Sequence, residues 1–157
     1  MSDYGKKFEQ QFKKDWLNSF PNTFLFRLPD QQSGYKTTSK NPCDFICYTG
    51  KNLYLIECKA HAGNTIPFVN LRQHDLLKSY EHCAITGYVC WFYDNDEVFF
   101  ITTQIISQMM NEGKKSINRK DSITYNFIKI PSIKKRTFMT SNYNILENSW
   151  FFISYNL

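Results

Sequence analysis

Apolar residues recur along this chain with two different periods, and the alternation between them outlines an α/β protein. Near the N-terminus Tyr4, Phe8, Phe12 and Trp16 stand four apart, which predicts a helix from Ser2 to about Ser19 with one apolar stripe. Pro21 follows its end. Residues 22–28 (NTFLFRL) are aromatic and β-branched enough for a strand, and the polar stretch 29–40 (PDQQSGYKTTSK) reads as a loop. Strands are expected at 42–48 and 53–59. After a loop at 61–67, Leu71, Gln73, Leu76, Leu77 and Tyr80 share a broad face, predicting a helix that starts near Asn70 and ends before Thr86 and Gly87. The run YVCWFY at 88–93 is nearly continuously apolar, as suits a strand buried on both faces. EVFFIT at 97–102 is expected to pair with it across Asp94, Asn95 and Asp96. A short helix at 103–111, a basic polar loop at 112–122 and a strand at 125–130 follow. The chain ends on the aromatic residues Trp150, Phe151 and Phe152.

Composition narrows the class. With 42% apolar and 17% aromatic residues over 157 positions, the chain can fill a core and does not resemble a disordered tail. No repeat or linker divides it, and one domain over 1–157 is expected. No run approaches the roughly 18 apolar residues of a membrane span, and the N-terminus lacks the apolar centre of a signal peptide, so a cytoplasmic protein is expected. Lys and Arg number 19 against 14 Asp and Glu, a net +5 that is compatible with a polyanionic partner without requiring one. The cysteines Cys43, Cys47, Cys58, Cys83 and Cys90 form neither an even disulfide framework nor a CxxC pair, and read as small core residues. Their spacing to His61, His74 and His82 does not match a compact zinc site.

The segment NPCDFICYTGKNLYLIECKA, residues 41–60, carries the chemistry. Gly50 and Lys51 suit a two-residue hairpin turn with a positive φ at the glycine, and that turn fixes the register of the flanking strands. If Gly50 and Lys51 are the central pair, cross-strand partners have numbers that sum to 101, and Asp44 then opposes Glu57. Opposed residues have Cβ atoms about 4.5–5.5 Å apart, where two bare carboxylates repel, so something is expected to bind between them. Alternation sends Leu53, Leu55, Glu57 and Lys59 to one face and Tyr54, Ile56 and Cys58 to the other. Two carboxylates with a lysine two residues on suit phosphodiester hydrolysis. Asp44 and Glu57 offer hard oxygens for Mg²⁺, with the backbone carbonyl of Cys58 as a third ligand, and Lys59 is placed to orient water and offset phosphate charge. The competing reading is a solvated sheet face on which Lys59 neutralises the acids. Against it, Leu53 and Leu55 share that face, which becomes polar only at its end, as at the mouth of a cleft.

Asp44 with Glu57-Cys58-Lys59 thirteen residues on resembles the PD-(D/E)xK nuclease signature, with Pro42-Cys43-Asp44 as its first half. GKKFE at 5–9, Gln73 within LRQHDLL and GKKSINRKD at 113–121 follow in an order that resembles the RecU-type Holliday junction resolvases of bacteria and their phages. The resemblance covers about residues 4–121 and leaves 122–157 as a C-terminal extension. It implies a restriction-endonuclease-like core in which helices flank a central mixed sheet. It also implies a homodimer that uses Mg²⁺, or Mn²⁺ in its place, to nick branched DNA in pairs at a four-way junction, in a bacterial or phage-infected cytoplasm. By matching position it makes Asp44 and Glu57 metal ligands and Lys59 the catalytic lysine. Glu9 resembles the helix acid of related resolvases, binding metal through water or holding a second ion; otherwise it is a surface carboxylate. Gln73 either holds Lys59, touches the DNA backbone, or is a helix-surface amide. The gap at 29–41 is too short for the long projection of the bacterial enzymes, and Pro42 stands where they place a threonine.

Lys36 and Lys40 before Asp44, and Lys114, Lys115, Arg119 and Lys120 in the later loop, are the candidate phosphate contacts, although loop cations are often simply solvated. Tyr35 either stacks on an unpaired base or lids the core. Beside a junction-resolving nuclease stand two alternatives, a less selective endonuclease of the same fold and a DNA-binding module without catalysis.

Overall fold

The fold, taken from a computed structural model, is described for residues 3–30 and 40–148. The expected N-terminal helix is α1 (Asp3–Ser19). It is followed by β1 (Leu25–Arg27), β2 (Phe45–Tyr48), β3 (Leu53–His61) and β4 (Thr65–Pro67). A 3-10 turn at Phe68–Asn70 leads to α2 (His74–Lys78), then β5 (Ile85–Phe92), β6 (Glu97–Thr102) and α3 (Thr103–Asn111). The last third holds β7 (Ser116–Asn118), a 3-10 turn at Arg119–Ser122, β8 (Ile128–Lys129), β9 (Ser132–Lys134), β10 (Met139–Ser141) and α4 (Ile145–Asn148). Lys36, Tyr35, Trp150, Phe151 and Phe152 lie outside the described residues.

Six strands form one sheet in the order β1-β2-β3-β5-β6-β8. The β3–β5 pair is parallel and the others are antiparallel, so the sheet is mixed and helices cover both faces. On one face the stripe of α1 buries Phe8, Phe12 and Trp16 against Tyr54, Ile56, Cys58, Val89 and Trp91. Each such aromatic contributes about 2–3 kcal/mol of burial. On the other face Leu71, Leu77, Ile106 and Met109 pack on Leu55, Tyr88, Phe99 and Ile101. All eight residues of β5 are buried, which explains its unbroken apolar run. Gly87 is needed there, because a Cβ would stand 2.7 Å from the Ile101 carbonyl oxygen and 2.8 Å from the Phe100 ring.

The expected helix beginning near Asn70 is shorter than its periodicity suggested. Leu71 leaves the 3-10 turn with φ −93° and ψ 59°, which breaks the helical path, and a series of turns carries the chain from Ser79 to Ala84. Two successive turns still bury Leu71, His74 and Leu77 three apart, so the apolar face persists without one continuous helix. Likewise the strand expected over 22–28 is confined to β1, since Asn22 adopts φ 64° in the turn after α1. The loop expected at 61–67 contains β4, which pairs with β7 inside the expected basic loop.

The C-terminal third is tied to α1. Buried Asp15 accepts the Ser141 amide N–H at 2.9 Å, and the Ser19 hydroxyl oxygen accepts that of Tyr143 at 2.9 Å. Among the described residues no helix is long and apolar enough to cross a membrane.

Candidate active site

The β2–β3 hairpin closes through the Thr49 amide N–H on the Asn52 carbonyl, with Gly50 at φ 95°. Its pairs run Tyr48 with Leu53, Cys47 with Tyr54, Ile46 with Leu55 and Phe45 with Ile56, each summing to 101. The paired ladder stops there, one residue short of Asp44 and Glu57. The backbone of Asp44 is held on both sides, its N–H donating to the Ile56 carbonyl and its carbonyl accepting from Leu28 N–H. Its side-chain Oδ2 accepts the Cys58 amide N–H at 2.8 Å. Because a strand residue's N–H and C=O point to the same edge, the Cys58 carbonyl also faces this opened end of the hairpin.

Alternation along β3 carries Glu57, Lys59 and His61 to one side, where they line a cleft of about 550 Å³ closed by Asn70, Arg72, Gln73 and Tyr88. Lys59 Nζ lies 3.3 Å from Glu57 Oε1, and both side chains are partly buried. Glu57 Oε2 is buried and, among the described residues, receives no hydrogen bond. Burial pushes the Glu57 carboxyl up, Asp44 pushes it further, and Lys59 opposes. Burial likewise raises Asp44, with the Cys58 N–H opposing and the charge of Glu9 adding to the rise. Two carboxylates are thus held together in a place that disfavours their charge, the condition a bound cation relieves.

Glu9 projects from α1 toward this pair, but its Oε2 accepts two hydrogen bonds from Arg27, at 2.7 Å from Nη2 and 3.0 Å from Nε. Arg27 also reaches Asp30 at 3.1 Å. Glu9 therefore adds negative field to the site while its own charge is already paired. Gln73 lines the cleft with Lys59 but makes no hydrogen bond to it, and its Oε1 is buried without a partner among the described residues. No three His, Cys, Asp or Glu side chains cluster as a metal cage among the described residues. The oxygens that could hold a divalent cation here are those of Asp44 and Glu57, whose Oε2 is unpaired among the described residues, and the Cys58 carbonyl. Hard oxygens with room left for water suit Mg²⁺. The free cysteines Cys43, Cys47, Cys58 and Cys90 are buried and Cys83 is exposed.

The basic loop divides into two kinds of residue. Lys114 pairs with Asp121 at 2.8 Å and sits over the Tyr125 ring, while Arg119 pairs with Glu97 at 2.5 Å and with Asn64 at 2.6 Å. These two brace the β4–β7 ribbon, whose Ile66 lines the cleft. Lys115, Lys120 and Lys40 are exposed. Sequence reasoning missed Arg72 and Arg27. Arg72 stood beside Gln73 and could have been noticed, whereas nothing in the sequence joins Arg27 to Glu9.

No family model matches this chain, and no curated protein matches it. Among solved structures it is similar to Hjc of Archaeoglobus fulgidus, a Holliday junction resolvase from an archaeal hyperthermophile. The TM-score is 0.59 at 15% identity, over 80% of this chain and 95% of that one. The chain therefore shares a nuclease-like mixed α/β fold with that resolvase.

Proposed function

We propose that this chain is a Mg²⁺-dependent, structure-selective DNA endonuclease of the PD-(D/E)xK type that resolves four-way junctions by paired nicks. The observation that carries the proposal is the buried, unpaired Oε2 of Glu57 beside Asp44, at a cleft that also holds Lys59, on a fold shared with a Holliday junction resolvase. Asp44, Glu57 and the Cys58 carbonyl hold the ion. When bound, Mg²⁺, or Mn²⁺ in its place, polarises the phosphate and lowers the pKa of water. Lys59, held at the cleft by Glu57, orients the attacking water and offsets charge growing on the phosphate. Glu9 keeps the site negative enough to favour a cation, and Arg27 fixes where that charge sits. The functional unit is a homodimer, because paired nicks in two strands need two such sites.

The test compares a synthetic four-way junction, a linear duplex of the same sequence and single strands, each with Mg²⁺ or with EDTA. Symmetric nicks confined to the junction and dependent on Mg²⁺ are expected. Equal cutting of the duplex would replace junction resolution by a less selective endonuclease. Binding without cutting would leave a DNA-binding module.

A further inference from the structure

We infer that Arg72 is a phosphate-positioning residue that grips the DNA backbone phosphate next to the scissile one. The inference rests on the nuclease reading above and assigns part of substrate binding to a residue outside the basic loop. Among the described residues Glu57 is the only carboxylate lining the cleft, and two cationic side chains, Lys59 and Arg72, line it as well. Lys59 is engaged by Glu57 at 3.3 Å. Of the other arginines, Arg27 is committed to Glu9 and Asp30 and Arg119 to Glu97, while Arg136 lines a different cleft beside Tyr4 and Tyr93. Arg72 is exposed and has no carboxylate partner among the described residues. An unpaired guanidinium beside a phosphate-handling centre gives up no ion pair when it takes a phosphate, and its planar fork matches phosphate oxygens in a bidentate manner.

The backbone beneath it is fixed. Leu71 on one side is buried in the core, and its carbonyl accepts the His74 amide N–H. His74 on the other side is buried, with Nδ1 3.0 Å from the Tyr88 hydroxyl and Nε2 3.2 Å from Ser107 Oγ. Arg72 is thus an exposed side chain on a pinned turn, so little backbone order remains to be imposed when it binds. With the floor of the cleft taken by Glu57 and Lys59 for the scissile phosphate, the neighbouring phosphate of the same strand is the anion left for the rim.

The test measures the affinity of a fluorescent four-way junction in EDTA across a salt series, for the parent, Arg72→Ala and Arg72→Lys. Loss of one phosphate contact is expected to weaken binding about tenfold at low salt and to flatten the slope of log affinity against log salt by about 0.9. Arg72→Lys is expected to restore the slope, since it keeps the charge. A merely structural role would leave the slope unchanged. A parent that binds junction while Arg72→Ala keeps its slope would overturn this inference alone. A parent that binds neither junction nor duplex would overturn the nuclease reading and this inference with it.

Discussion

Replacing Glu57 with glutamine is expected to make the metal-free chain more stable while abolishing cleavage. Burial is the largest cost to the ionised Glu57 carboxylate, and the charge of Asp44 beside it adds to that cost. Lys59, 3.3 Å from Glu57 Oε1, opposes both and leaves a net cost of about 1–2 kcal/mol. Glutamine keeps the shape and an oxygen for Lys59 but removes one of the two charges. For a chain of this length the gain corresponds to a thermal midpoint about 3–6 °C higher at pH 8 in EDTA. Its pH dependence follows from the raised carboxyls. Burial and Asp44 hold Glu57 above its unfolded value, so the folded chain binds the proton more tightly than the unfolded one. The penalty is therefore absent below the unfolded value, grows as pH rises from there toward the folded value, and is complete above it. The advantage of Glu57→Gln is expected to shrink at pH 5, and Mg²⁺ is expected to raise the midpoint of the parent but not of the variant. Differential scanning calorimetry at pH 5 and pH 8 measures all of this. If Glu57 were simply the structural partner of Lys59, the variant would be less stable than the parent at pH 8, and the reasoning would fail.

Lys59→Ala is expected to abolish cleavage yet leave junction affinity in EDTA within about twofold, because the charge of Lys59 is already paired with Glu57 at 3.3 Å and adds little net attraction for phosphate; a large loss in a fluorescence anisotropy titration would contradict this. Arg27→Ala leaves Glu9 partly buried without its donor and should destabilise the metal-free chain by about 2 kcal/mol. With a third carboxylate released beside the pair, Mg²⁺ should raise the midpoint more in that variant than in the parent, and equal shifts would count against the placement of Glu9. Gly87→Ala drives a methyl group against the Ile101 carbonyl and the Phe100 ring, and is expected to lower the midpoint by about 4–8 °C. An unchanged melt would show that β5 and β6 separate more easily than their packing implies.

What the sequence made legible was local. The stripe of α1, the unbroken run of β5 and the two-residue turn at Gly50 and Lys51 each depend on neighbours within a few positions. The turn alone was enough to give the register that runs from Tyr48–Leu53 to Phe45–Ile56, one residue short of Asp44 and Glu57, since hairpin register follows from its centre. What escaped depends on distant partners. The β4–β7 ribbon joins residues about fifty positions apart and is too short to show periodicity, while Asp15 meets Ser141 across 126 positions. The charges of the basic loop were visible, but not that Glu97 and Asp121 engage Arg119 and Lys114. Nor could the sequence show that Arg27 holds Glu9, or that a turn presents Arg72 to the cleft. The carboxylates and the lysine were therefore readable from one hairpin, and the cations around them were not.

The most direct test of the central claim is the time course of nick formation on an end-labelled four-way junction, run in parallel for the parent and Glu57→Gln, with Mg²⁺ and with EDTA. The account predicts symmetric nicks by the parent in Mg²⁺ only and none by the variant, although both bind the junction. Equal cleavage by the two proteins, or cleavage undiminished in EDTA, would contradict the assignment of Asp44 and Glu57 as the metal-binding pair.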